Sequence, residues 1–229
     1  MFGLDDFIAS YSDGASVWLV VVVAILLGLR HATDPDHVAA VTTLVAGARE
    51  NATRAAAGLG AAWGLGHACT LFVFGVPVLL LDQYLPERVQ QAAETAIAFV
   101  IAALAIRLIV RWRKGLFRLS EEHSHPHRGR TKLSAFAIGL VHGMGGSAGV
   151  GILLVASIES QALGILALAL LAIFTAVSMT ILSTGFGAAL ASRPLRASFA
   201  AIAPGFGLAS LGFAVWYGAA AWALAPYPF

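Results

Sequence analysis

The chain has 229 residues, of which 59% are hydrophobic and only 11% charged, and its mean hydropathy is +0.84. A water-soluble domain carries about a quarter charged residues to cover its wetted surface. This composition therefore excludes one and points to an all-α polytopic membrane protein forming a single transmembrane domain. The net charge of +2 would suit nucleic acid, but the basic residues sort by membrane side instead, so no nucleic-acid partner is expected. The one cysteine, Cys69, excludes an internal disulfide framework and a cysteine-built zinc site. Its apolar setting reads as a buried, inert thiol. Met1 to Asp13 carries three aspartates and no lysine or arginine, unlike the basic flank of a signal peptide.

Six apolar stretches follow in chain order: 15–48, 53–81, 93–111, 134–157, 163–191 and 199–224. About 20 residues cross a hydrocarbon core, so the first, second and fifth must tilt, kink or project beyond it. The loops after the first, third and fifth hold Arg49, Arg54, Arg111, Arg113, Lys114, Arg118, Arg128, Arg130, Lys132, Arg193 and Arg196. The opposite side has Arg88 with Asp5, Asp6, Asp13, Asp82, Glu87, Glu94 and Glu159. Positive charge marks the cytoplasmic side. The expectation is a plasma-membrane protein with both termini outside and the loop 112–133 in the cytoplasm. Gly28-Leu29-Arg30-His31 recurs as Gly139-Leu140-Val141-His142, each early in its half. Three spans per half make the halves cross in opposite directions, the inverted 3+3 repeat of secondary transporters.

Ionisable side chains inside a span are costly unless paired, solvated or bound to something. The first stretch contains Arg30-His31-Ala32-Thr33-Asp34-Pro35-Asp36-His37. At about 100° per residue, His31, Asp34 and His37 share one arc and Asp36 points elsewhere. Pro35 lacks a backbone donor and predicts a kink or an unwound turn in this first helix, which would bring Asp36 round and expose carbonyls to a cavity. A purely architectural reading has Arg30 pairing with Asp34 or Asp36 to fix the kink. The second stretch carries His67 between Gly64-Leu65-Gly66 and Cys69-Thr70, and the fourth carries His142 before Gly143, Gly145, Gly146 and Gly149. Each of these histidines alone reads equally as a core hydrogen bonder.

Together they read as a metal site. Neutral imidazole suits Ni²⁺, Co²⁺, Cu²⁺ and Zn²⁺, and carboxylate adds charge compensation. The scarcity of Cys and Met argues against a Cu(I) pathway. The candidate ligands are His31, Asp34, Asp36, His37, His67 and His142, with Thr70 and Ser147 as candidate pore-lining hydroxyls. His123, His125 and His127, beside Glu121 and Glu122, form a possible capture or release station in the cytoplasmic loop, though a merely solvated linker accounts for them as well.

His31 to His37 has the form H-x4-D-H and resembles the signature of the nickel/cobalt transporter family. Leu65-Gly66-His67 is similar to that family's second motif. The combination with Gly139-Leu140-Val141-His142-Gly143 and Gly146-Ser147-Ala148 is closest to a short, urease-accessory-like branch. The resemblance implies transport of Ni²⁺ or Co²⁺ as substrate, with no resident cofactor. It implies roles for His31, Asp36, His37 and His67, with Asp34 matching an aspartate inside the signature. The acidic motifs of longer members, L-G-F-D-T-A-T-E and G-M-x-x-x-D-T-x-D, have no counterpart here.

The leading reading is a secondary transporter of a divalent transition metal. Its expected partners are the ion, the lipid bilayer, another copy of the chain, and a cytoplasmic metallochaperone or nickel-enzyme maturation factor. No G-x4-G-K-[ST] sequence occurs, which excludes ATP hydrolysis through that motif. Two alternatives stand beside it: a membrane-embedded metal-dependent enzyme, and a non-transporting membrane subunit of a metal-uptake system. A rhomboid-type protease is disfavoured because no histidine follows Ser147.

Overall fold

The computed structural model describes residues 17–45, 52–81, 86–115, 131–144, 147–158 and 160–226, and every regular element among them is a helix. In chain order these are α1 (Val17–His31), α2 (Pro35–Val45), α3 (Ala52–Leu81), α4 (Glu87–Arg113), α5 (Lys132–His142), α6 (Ser147–Ala156), α7 (Gln161–Ala191) and α8 (Arg193–Ala220). Four of them, α3, α4, α7 and α8, are long and apolar enough to cross a membrane. Two apolar stretches are instead divided: the first into α1 and α2, the fourth into α5 and α6.

The first division follows from Asp34-Pro35. Proline disfavours helical geometry in the residue before it, and its missing N–H costs nothing at the first position of a helix. The chain therefore leaves α1 after His31 and restarts at Pro35. A turn joins the two, with Thr33 N–H donating to Arg30 O (2.9 Å) and Asp34 N–H to His31 O (3.2 Å). Asp34 O then accepts the first bond of α2, from Val38 N–H (3.0 Å). The break is thus a three-residue interruption, the unwound turn of the two forms expected at Pro35. The second division follows His142, where Gly143 N–H donates back to Gly139 O (2.9 Å) before α6 begins at Ser147.

The long helices α3 and α7 pack along each other at the centre. Helix α5 lies against α3, α1 lies against α7, and α4 pairs with α8. These approaches are close because small residues line them, the usual solution where lipid supplies no driving force between helices. A Cβ on Gly139 would strike the carbonyl oxygen of Trp63, and one on Gly66 that of Phe136. A Cβ on Gly28 would come within 2.7 Å of Leu171 O on α7. The outward faces are apolar. Val73, Phe99, Ile181 and Val215 are all exposed, as suits side chains that meet hydrocarbon.

One expectation is corrected. Cys69 is exposed rather than buried, because it lies about 200° round α3 from the buried His67 and so faces outward. Glu94 is buried within α4 and accepts a hydrogen bond from Gln90 Nε2 (3.1 Å). The helix begins at Glu87, well before the expected boundary at residue 93.

Candidate metal centre

The two helix breaks meet against the middle of α3. His31 is the last residue of α1 and His142 the last of α5, so two helix C-termini end here. Helix C-termini carry partial negative charge, which favours a cation and disfavours an anion. Pro35 sets the start of α2 so that Asp36 and His37 fall in its first turn. His67 enters from α3.

All six intramembrane candidates, His31, Asp34, Asp36, His37, His67 and His142, are buried. His31 Nε2 and His67 Nε2 are 2.9 Å apart. That is a hydrogen-bond contact; a tetrahedral ion about 2.1 Å from each nitrogen would hold them about 3.4 Å apart, so a shift of about half an ångström would make the two a ligand pair. His37 Nδ1 is 3.1 Å from Asp36 Oδ1, and His142 Nε2 is 3.2 Å from Asp36 Oδ2. One carboxylate thus joins a histidine of the first break to a histidine of the second. Asp34 sits 3.3 Å from His31 Nδ1 through one oxygen, and 3.3 Å from an Arg30 guanidinium nitrogen through the other. The architectural ion pair and the candidate ligand set coexist, since Arg30 engages Asp34 and leaves Asp36 to the histidines.

The imidazoles are not saturated. His37 Nε2, His67 Nδ1 and His142 Nδ1 are buried and have no hydrogen-bond partner among the described residues. An unmet buried polar atom costs about 1–3 kcal/mol, and an ion held in the cluster would offset that cost. Ligand atoms of His31, His37 and His67 lie within 4.8 Å of one another, as do those of Asp36, His37 and His142.

Thr70 is buried beside the cluster, but its hydroxyl is engaged, donating to Leu140 O (2.9 Å) with Gly66 O at 3.1 Å. It ties α3 to the last turn of α5. Ser147 is the first residue of α6. His123, His125 and His127 lie outside the described residues.

One neighbour was not singled out from sequence. Trp63 is fully buried, with its ring centroid 5.5 Å from that of His37 and 5.8 Å from that of His142. It walls the centre on one side. The signal was present in the four-residue step from Trp63 to His67, which places both on one face of α3.

The fold and the site define an all-helical membrane protein with a buried histidine and aspartate cluster suited to a divalent metal. Comparison with known proteins names the family. The model of the NicO family, described as "High-affinity nickel-transport protein", matches residues 17–135, more than half of the chain, and the chain belongs to that family. It is also similar to the urease accessory protein UreH of Bacillus sp. (strain TB-90), with 26% identity over 198 residues that cover 80% of this chain and 84% of the relative. No solved structure matches.

Proposed function

We propose that the protein is a secondary transporter that carries Ni²⁺, Co²⁺ or both across the plasma membrane through the buried cluster. One observation carries this reading. Four separate helices deliver four imidazoles and the Asp36 carboxylate to the meeting point of two helix breaks, the turn before Pro35 adds Asp34, and three imidazole nitrogens there have no hydrogen-bond partner among the described residues. Borderline nitrogen donors with one or two carboxylates suit Ni²⁺ and Co²⁺. The family model and the scarcity of sulfur ligands point the same way. The match to a family described as a nickel-transport protein favours this reading over an intramembrane metalloenzyme and over a passive subunit.

The architecture proposed with it is six crossings in an inverted 3+3 repeat, with α1–α2 and α5–α6 each making one interrupted crossing. Local parallels support the repeat. Both Gly-Leu-x-His fragments end a half-helix, and the glycine of each presses on a long central helix, Gly28 on α7 and Gly139 on α3. Ser178 of α7 donates to Gly28 O (2.9 Å), just as Thr70 of α3 donates to Leu140 O. The distribution of basic residues puts both termini outside, with the His123, His125 and His127 loop in the cytoplasm as a loose capture or release station. A membrane potential of 100 mV supplies about 4.6 kcal/mol for a divalent ion moving inward. The likeness to a urease accessory protein suggests that the imported ion passes to a nickel-enzyme maturation factor.

The test is metal accumulation and resistance in cells expressing the wild-type chain or His31→Ala. The wild type is expected to alter nickel or cobalt content and His31→Ala to abolish the change. Equal behaviour of the two at equal membrane abundance would remove the buried cluster from transport.

A further inference from the structure

The ligand geometry divides the cluster in two. Two triads of ligand atoms, His31–His37–His67 and Asp36–His37–His142, lie within 4.8 Å, and His37 belongs to both. Its ring centroid is 4.6 Å from that of His31, 5.1 Å from that of His67 and 4.7 Å from that of His142, whereas His67 and His142 are 6.3 Å apart. His37 is therefore the residue common to both triads, and the rings of His67 and His142 lie farther from each other than either lies from His37.

Building on the transport reading, we propose that the centre consists of two overlapping stations for a single divalent ion, and that the ion crosses by exchanging ligands about His37. At one station it binds His31, His67 and His37. At the other it binds Asp36, His142 and His37. Moving from the first to the second breaks the bonds to His31 and His67 and forms those to Asp36 and His142, and no electron changes hands.

The two nitrogens of His37 fit this division. Nδ1 lies 3.1 Å from Asp36 Oδ1, and Nε2 has no hydrogen-bond partner among the described residues. An ion at the first station takes Nε2 while Nδ1–H donates to Asp36, the arrangement by which a carboxylate orients a metal-binding histidine. An ion at the second station takes Nδ1, and the ring proton resides on Nε2 instead, so the count of protons is unchanged. A neutral imidazole offers one bare nitrogen at a time, so one chain serves one ion.

The stations also differ in charge. The first has three neutral ligands, with Asp34 standing behind His31 at 3.3 Å. The second has Asp36 in direct reach. Three protein donors leave coordination positions open at each, so ligands of one station can engage before those of the other release. Binding that is strong enough to admit an ion and weak enough to release it is the general requirement for conduction.

The experiment uses the full chain in proteoliposomes with His67→Ala and His142→Ala, and with His67→Gln and His142→Gln as size-conserving versions. Bound Ni²⁺ per chain, the absorption spectrum of bound Co²⁺ and Ni²⁺ flux are measured together. Each variant is expected to keep one ion per chain and to lose flux by about tenfold or more. The Co²⁺ spectra are expected to diverge, as imidazole ligands only in the His142 variants and a carboxylate-containing set in the His67 variants. Loss of binding in either pair of variants, with the chain still monodisperse, would mean one joint centre and overturn the proposal. So would wild-type flux in either pair, or two ions bound per wild-type chain. Absence of flux in the wild type would instead contradict the transport reading, while stoichiometry and spectra would still decide whether two stations exist.

Discussion

The helix ends at His31 and at His142 are closed alike in backbone and followed by different side chains. In each a half-helix closes on Gly-Leu-x-His, and its glycine approaches the backbone of a long central helix. A hydroxyl of that central helix also bonds a carbonyl in the closing turn, Ser178 to Gly28 O and Thr70 to Leu140 O. After the histidine the corners diverge. The first continues with Asp34, Asp36 and His37, tied to Arg30 and to each other, and the second continues with glycines. The packing device is thus used twice, and the charge is concentrated at one corner. His142 reaches across to Asp36 at 3.2 Å, so the second corner supplies one candidate ligand, α3 supplies His67, and the first corner supplies the others.

Substitutions can break this comparison at several strengths. His37→Ala removes the imidazole common to both triads, and flux is expected to fall about a hundredfold, read as initial uptake rate at matched protein content. Asp36→Asn withdraws the charge that His37 and His142 share. It is expected to weaken metal affinity by between about tenfold and a hundredfold. Asp34→Asn withdraws the charge that faces His31 and Arg30, and a loss of no more than about tenfold is expected. Titrations with Ni²⁺ would rank the two, and equal losses would mean that the corners are not divided as described.

The shared device is tested through stability. Gly28→Ala and Gly139→Ala each force a methyl group against a neighbouring helix backbone, and overpacking of this kind costs about 1–3 kcal/mol. Both should lower the thermal unfolding midpoint in detergent, with Gly139→Ala the more severe. Gly185→Ala and Gly212→Ala place the methyl group in open space. They are expected to leave stability unchanged or raise it by up to about 1 kcal/mol, since alanine is the better helix former.

Much of the fold was legible because hydrophobic length is a local property. The stretches expected at 53–81 and 163–191 became helices 52–81 and 161–191. Proline 35 announced an interruption, but which residues unwind depends on what each side chain meets after the turn. The candidate ligands were legible as ionisable residues in apolar surroundings. Their partners were not. Asp36 and His142 are 106 residues apart, and no periodicity relates one helix end to another. Cys69 shows the same limit: its direction on α3 relative to His67 was readable, but apolar surroundings mean burial only in a protein whose outside is water. Helix α4 begins at Glu87, ahead of the stretch expected from residue 93, because charged residues near a span boundary lower its hydropathy without ending the helix.

The central claim is that metal passes through the buried histidine and aspartate centre. Its most direct test is influx of radiolabelled Ni²⁺ into proteoliposomes with an imposed inside-negative potential, comparing wild type, His37→Ala and the outward-facing control Cys69→Ala. Saturable influx is expected in the wild type and Cys69→Ala, with His37→Ala no faster than protein-free liposomes. Influx through His37→Ala at the wild-type rate would contradict the claim.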